Sequence, residues 1–380
     1  MKYNRHHLKI LHLASTKRLS GVAEPMVNMA FYQKALGHDT RVACTPGRSL
    51  ERFTKQSGIN FFNHLHLNSR INPVEIISDF RSLRNFFHSF KPDIIHCHLL
   101  HVHWLAALAL LGNPKNAILI RSTHRFKKPY NDPVHRWLFV RSTDGVIVPS
   151  HAMKDIVLNR YQGMSQRVFM VYGGVNLERF HPRVNGVIIR KKLGIPLNAP
   201  LAGIVARLRK DRGFHLLFES LPTVFRSLPE FKLVIVGRGE MEGQINKWIK
   251  KPPYSGRVFM AGYHTVDLPN FYKAMDVSLF LGLGSEGGCR AVMEAMSTGI
   301  PVIGIKQAVV PEIIDNGING FLIPPNDKVS LSKSLIEVLS DIPRSTAIGN
   351  AARKKMEKQF SLFDKAQRLV RIYEKLLYQK

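Results

Sequence analysis

The chain has 380 residues, 45% of them hydrophobic and 22% charged, which is enough apolar content for two cored domains and too little charge for a disordered polymer. Its formal net charge is +28, an imbalance that implies an anionic partner: nucleic acid, anionic lipid or phosphorylated glycan. Residues 1–180 hold 25 Lys/Arg against 10 Asp/Glu and the remainder 30 against 17, so the excess is spread over both halves, and with no run of five like charges a disordered basic arm is not expected.

The opening stretch MKYNRHHLKILHLAST is basic, but its apolar run is short and interrupted by Lys9 and His12, so it reads as a strand and not as a secretory leader. In chain order the strand candidates are 8–14, 40–44, 93–98, 117–123, 145–150 and 167–172. A second series follows at 201–207, 232–237, 257–262, 277–283, 301–305 and 320–324. Amphipathic stretches such as 74–90, 213–227 and 328–340 lie between them, and the apolar run 104–112 is too short to span a bilayer. Strands apolar on both faces, each followed by a helix, predict parallel sheets covered on both sides. Gly173, Gly174 and Pro182 punctuate a polar stretch that reads as a linker. The expected fold is α/β, with two doubly wound parallel-sheet domains at 1–175 and 176–358 and a terminal helical segment at 359–380. Ligands of such sheets sit beyond the carboxyl ends of strands, so the expected site is a cleft between the domains.

Unusual polar residues do follow strands. After the strand candidate at 277–283 come Glu286, Gly287, Gly288 and Cys289, then a helical pattern with Glu294 inside it. The first turn of that helix offers unpaired N–H groups, and two glycines admit a ligand close to the backbone. Eight helical residues separate the two glutamates by roughly 12 Å, about the span from a sugar to a ribose across a diphosphate. A carboxylate accepts two hydrogen bonds side by side, which suits a vicinal diol. The bland alternative is a helix-start glutamate followed by a solvated one. Arg207, Arg209, Lys210 and Arg212 crowd the turn after another strand, where Arg forks could bind a leaving diphosphate. Arg207, read as part of the strand end, is the stronger ligand candidate, and Arg209 and Lys210 read as solvated charge.

In the first half, Gly21 lies in the loop after the first strand, and His124 follows the 117–123 strand beside Arg125, Lys127 and Lys128. His12, His96, His98, His101 and His103 also cluster in the sequence pattern, but no carboxylate group completes a zinc site, so they read as structural or cleft-lining. Cys44, Cys97 and Cys289 match no disulfide or zinc spacing; two of them sit in apolar runs, as buried thiols would, and a reducing compartment fits. Gly237, Gly239 and Gly243 miss the dinucleotide spacing by one. There is neither a P-loop lysine motif nor an aromatic-basic module, so nucleic acid is not the expected partner. The chain has no Asp-x-Asp pair of the kind that holds a diphosphate through a metal, and metal-independent chemistry without a cofactor is expected.

The series GGVNLERFHP, ARLRKDRG, VIVGRGE, VFMAGYH, LPNFYKAMDVSLFLGLGSEGGCRAVMEAMSTGIPVIG and PEIIDNGINGFLIPPND resembles glycosyltransferase family four, retaining nucleotide-sugar enzymes of GT-B fold. The first half is similar more loosely, through SGVAE, GHDTRV, PDIIHCH, STH and GVIVPS. The resemblance implies that Glu286 contacts the donor sugar and Glu294 the nucleotide ribose. It implies that Arg207 and Arg212 bind the diphosphate, and that Gly287, Gly288 and Cys289 offer N–H groups to sugar or phosphate. His124 would hydrogen-bond a donor-sugar hydroxyl, Gly21 would let diphosphate and acceptor approach, and the last helix would return to the first domain. Arg212 stands where the family usually has lysine, EGGC where it often has Glu-x-Phe-Gly, and Ser20–Gly21 where it has Gly-Gly.

The expected function is a retaining transfer of a sugar from a UDP, GDP or ADP donor to a hydroxyl acceptor. With the +28 charge, the expected acceptor is an anionic glycan or lipid-linked glycan of cell-surface polysaccharide or lipopolysaccharide synthesis. The expected location is cytoplasmic and peripheral on the inner membrane face. The alternatives are an epimerase or hydrolase of the same fold, and a non-catalytic nucleotide- or nucleic-acid-binding protein.

Overall fold

A computed structural model describes residues 7–15, 22–67, 72–112, 117–124, 129–282 and 286–380, with the backbone alone at 286–288. The chain divides into two compact units, Met1–Gly173 with Leu362–Lys380, and Gly174–Ser361. The strands of the first unit are β1 (Lys9–Leu13), β2 (Asp39–Ala43), β3 (Asn60–Phe62), β4 (Ile94–Cys97), β5 (Ile118–Ser122), β6 (Gly145–Val148) and β7 (Val168–Met170). They form one parallel sheet in the order β3-β2-β1-β4-β5-β6-β7. All twelve predicted strands are present, trimmed by a few residues. The thirteenth, β3, is a half-exposed edge strand of three residues, too short to show a period.

Alternation along β1 and β4 sorts side chains between two layers. Leu11, Leu13, Ile95 and Cys97 join one apolar cluster. Ile10 and Ile94 join another, built with Leu369, Tyr373 and Leu376 of the closing helix Leu362–Tyr378. That helix is therefore core to the first unit. A Cβ on Gly145 would sit 2.7 Å from Leu376 Cδ1, so glycine at the start of β6 admits the helix.

The second unit repeats the plan with β8 (Leu201–Val205), β9 (Lys232–Val236), β10 (Val258–Gly262), β11 (Val277–Phe280), β12 (Val302–Ile305) and β13 (Phe321–Ile323). Their order is β10-β9-β8-β11-β12-β13, again all parallel. Arg190 ties together the starts of the sheet's two central strands, β8 and β11: Nε donates to the Ala274 carbonyl at 2.9 Å, one terminal nitrogen to Ala199 at 2.7 Å, and the other to Asp276 at 3.0 Å. Asp276 also accepts from the Leu201 N–H at 2.8 Å, at the head of β8.

In each sheet the winding direction reverses between two neighbours, β1/β4 in the first unit and β8/β11 in the second. Beyond the carboxyl ends of such a pair, the connections diverge and leave room for a ligand.

Among the described residues, no helix is long and apolar enough to cross a membrane.

Candidate functional site

In the second unit, the loops after β8 and β11 touch. Gly213 has φ +74°, and a Cβ there would lie 2.5 Å from both Cβ and the carbonyl oxygen of Leu281. A Cβ on Gly282 would lie 2.9 Å from Arg212 Cδ. These two glycines let the 3-10 turn Lys210–Arg212 lie flat on the end of β11. Arg212 is held there with its side chain 17% exposed. Among the described residues its buried Nε has no hydrogen-bond partner, and its ion-pair contact with Asp211 is long, at 3.7 Å. Leaving a buried guanidinium N–H unmet costs free energy, which an anion would recover.

Arg207 is placed differently from the expectation. β8 ends at Val205, two residues before it, and Arg207 is exposed on the following loop. The cause is the neighbouring loop after β9. Leu208 N–H donates to the Arg238 carbonyl at 3.1 Å, and Gly237 and Gly239 press against the Ala206 and Leu208 carbonyls too closely for any Cβ. The near-miss dinucleotide glycines thus serve backbone packing. Arg209 and Lys210 are exposed, as solvated charge should be, and Arg209 pairs with Asp211 at 3.2 Å.

The helix Glu286–Ser297 follows β11 directly, opening with Glu286, Gly287 and Gly288. The side chain of Glu286 lies outside the described residues. Cys289 is buried, as are Val292, Ala295 and Met296, which turn one face of the helix inward. Glu294 is buried too, at 4% exposure, and is not a solvated helix residue. Its Oε2 accepts from the Tyr272 hydroxyl at 3.0 Å and its Oε1 from Arg290 Nε at 2.8 Å. Burial and the adjacent Glu294 carboxylate push the Tyr272 phenol well above its ordinary pKa, so it stays a donor. Two donors from different elements fix the plane of this carboxylate.

In the first unit, His124 stands two residues past β5 and is half-buried. Gly21 lies outside the described residues. His124 connects to the histidines that read from the sequence as structural or cleft-lining. Its Nε2 is 3.1 Å from His98 Nδ1, and His98 Nε2 is 3.0 Å from His12 Nδ1. His12 Nε2 reaches Gln33 Oε1 at 2.7 Å. Gln33 Nε2 donates to the Tyr373 hydroxyl at 3.3 Å, which lies 2.7 Å from His96 Nδ1, and His96 Nε2 reaches Ser122 Oγ at 2.7 Å. Register explains the meeting: β1 pairs with β4 so that His12 faces His96, and His98 follows on the same side. Burial is the first cause holding His12 down at about 4, and it takes His96 and His98 well below the ordinary imidazole value. Nitrogens of His12, His96 and His98 lie within 4.8 Å of one another, near enough to share a cation. Every ring nitrogen of the three already has a hydrogen-bond partner.

Residues 187–355 match the family Glycosyl transferases group 1, and residues 19–179 match Glycosyltransferase Family 4. The chain is 25% identical to a UDP-Gal:alpha-D-GlcNAc-diphosphoundecaprenol alpha-1,3-galactosyltransferase of Escherichia coli over the whole of both chains. A solved glycosyltransferase of Rickettsia africae superposes over the whole of both chains with a TM-score of 0.87 at 22% identity. Anabaena Alr3699/HepE, solved in complex with UDP, superposes over 96% of this chain and 99% of its own, with a TM-score of 0.81 at 19% identity. These likenesses establish the fold as GT-B. With one family matched in each half, the chain belongs to the group 1 and family 4 glycosyltransferases.

Proposed function

We propose that the protein is a retaining, metal-independent glycosyltransferase that takes a sugar from a nucleoside-diphosphate donor to a hydroxyl of an anionic, lipid-linked or surface glycan. The observation that carries this reading is the packing of Arg212, with its buried Nε, against Gly282 just past β11, four residues before the helix that bears Glu294 begins. Arg212 and the helix N–H groups offer positive potential to a diphosphate, and Glu294 offers oriented acceptors to ribose hydroxyls. Arg207, on its exposed loop, is assigned the outer diphosphate charge, and Glu286 with Gly287, Gly288 and Cys289 the sugar side. The diphosphate of the named E. coli relative's lipid-linked acceptor, and the UDP in the Anabaena complex, are chemistry of the same kind.

In the proposed step the bond from the anomeric carbon to the diphosphate oxygen breaks. A bond to the acceptor oxygen forms on the same face, and the acceptor proton passes to the departing diphosphate. Preorganised positive charge at the leaving group is the largest catalytic term. His124, at the carboxyl edge of the first sheet, is assigned a sugar hydroxyl.

The test is to incubate the protein with UDP-, GDP- and ADP-sugars and a diphosphate-linked lipid glycan, with and without EDTA. The expected result is acceptor-dependent release of one nucleoside diphosphate, unchanged by EDTA, and a product whose anomeric configuration by NMR equals that of the donor. Inversion, or loss of turnover in EDTA, would overturn the mechanism. Donor loss indifferent to acceptor would overturn transfer.

A membrane-facing acceptor also fits the surface of the helix Pro73–Phe90. Val74 and Ile77 are 76% and 52% exposed, and Arg81 continues the same outward stripe at helical spacing. Anionic vesicles are expected to co-sediment the protein while neutral vesicles do not, and Ile77→Glu is expected to weaken the anionic binding about tenfold. Equal binding to both vesicle types would remove the membrane from the proposal.

A further inference from the structure

The chain of contacts from His124 into the core has a direction. His12 Nε2 faces Gln33 Oε1, an atom that can only accept, so His12 carries its proton on Nε2. His12 is neutral in its buried setting, so its Nδ1 accepts, and His98 must donate to it from Nε2. His98 Nδ1 then accepts, and His124 must donate from Nε2. On the other arm, Gln33 Nε2 donates to Tyr373, whose hydroxyl donates to His96 Nδ1, leaving the His96 proton on Nε2 toward Ser122. All four imidazoles are thus in the Nε2–H form.

Rotating the Gln33 amide would reverse both arms and place all four protons on Nδ1. Both polarities satisfy every hydrogen bond. They differ in tautomer, and the Nε2–H form is the more stable one for a neutral histidine side chain. Four such preferences add in favour of the orientation present.

We propose that Gln33 is a positioning residue that ties the tautomers of His12 and His98 to that of His96, and so fixes which nitrogen of His124 carries the proton. His124 then holds Nε2 inward as a donor, and in its neutral form Nδ1 is the accepting nitrogen. An accepting nitrogen suits an uncharged hydroxyl donor and disfavours a phosphate or carboxylate. This consequence, though not the relay itself, rests on the reading of His124 as a ligand of substrate hydroxyl.

The relay can be read without any substrate. Full-length protein labelled with 15N-histidine is examined by long-range proton–nitrogen correlation at pH 7, with His12, His98 and His124 assigned by single replacement. The expected result is protonated Nε2 and unprotonated Nδ1 at all three. Gln33→Met, similar in size but without the acceptor, is expected to leave His124 as a mixture of tautomers. Gln33→Glu keeps an acceptor for His12 and is expected to restore the wild-type pattern at His124. A wild-type His124 protonated on Nδ1 overturns the proposal, and that measurement needs no variant. So does a folded Gln33→Met protein with the His124 pattern unchanged. Zn2+ that shifts His12, His96 and His98 together would also overturn it, because a metal would take the nitrogens the relay uses. No donor enters these spectra, so failure of the transferase reading leaves them intact, and failure of the relay leaves nucleotide binding intact.

Discussion

Glu294→Ala is expected to remove half or more of the thermal stabilisation that a nucleoside diphosphate confers on this protein. A ligand present at a hundred times its dissociation constant adds about 2.7 kcal/mol of stability. For a unit the size of residues 174–361, this raises the melting temperature by roughly 5–10 °C. A hydrogen bond to a charged group contributes about 1.5–3 kcal/mol, so losing the ribose contact should weaken binding about ten- to a hundredfold. At the same nucleotide concentration the stabilisation then falls to between about 1.4 and 0.4 kcal/mol.

The geometry makes the expected outcome specific to this residue. Glu294 already accepts from Tyr272 and Arg290, and about four lone-pair sites on a carboxylate let it accept from ribose as well. Alanine also removes the acceptor of the buried Tyr272 hydroxyl and of Arg290 Nε, so the variant melts lower without ligand. The quantity to compare is therefore the ligand-induced shift within each variant. Tyr272→Phe should keep most of that shift, because it loosens the carboxylate without removing it. Arg212→Met should lose the shift with UDP, GDP or ADP. The measurement is a melt against UDP, GDP, ADP and CMP, with and without EDTA. An undiminished shift in Glu294→Ala would assign this glutamate to holding its helix against Tyr272 and nothing more.

The strands were legible because each is an apolar run bounded by glycine, proline or polar residues, and parallel strands covered on both faces need no alternation to be found. β3 escaped because three half-exposed residues at an edge carry no pattern. The loop bearing Arg212 and the helix bearing Glu294 were legible as charge and glycine after strands. What set Arg212 apart from Arg207 was the depth of its turn, which depends on Gly213 packing on Leu281 and Gly282 packing on Arg212. The i,i+4 spacing of Arg290 and Glu294 was visible, but not the donor from Tyr272, which is 22 residues away. The histidine relay shows the limit more plainly. His12, His96 and His98 were conspicuous, and a doubly wound strand order sets β1 beside β4, but the register that puts His12 beside His96 comes from the structure. Gln33 and Tyr373, 340 residues apart, carry no local signal that they meet.

Those same buried imidazoles make stability fall with acid well before carboxylates titrate. His12 titrates at about 4 in the fold, against 6.5 as a free side chain, because burial opposes its charge. His96, His98 and His103 are held well below 6.5, first by burial. The groups facing them push the same way: Arg121 acts on all three, Lys365 of the closing helix on His96, and His124 on His96 and His98. Less buried His38 and His101 are lowered as well. Below pH 6.5 the unfolded chain binds protons that the folded chain refuses. The stabilisation is therefore complete above pH 6.5 and is lost progressively as pH falls from there through about 4, the value for His12. Each such imidazole tilts stability by up to about 1.4 kcal/mol per pH unit, and His12 alone accounts for about 3 kcal/mol across its window. Carboxylates, whose ordinary values lie near 4, contribute little between pH 6.5 and 5, so that interval isolates the histidines. Denaturant unfolding followed from pH 7.5 to 5 should show a slope equivalent to two or more protons, roughly 3 kcal/mol per pH unit or steeper. His12→Asn should flatten it by about one proton, or about 1.4 kcal/mol per pH unit. A slope worth less than one proton would mean that the relay imidazoles already carry charge in the folded protein.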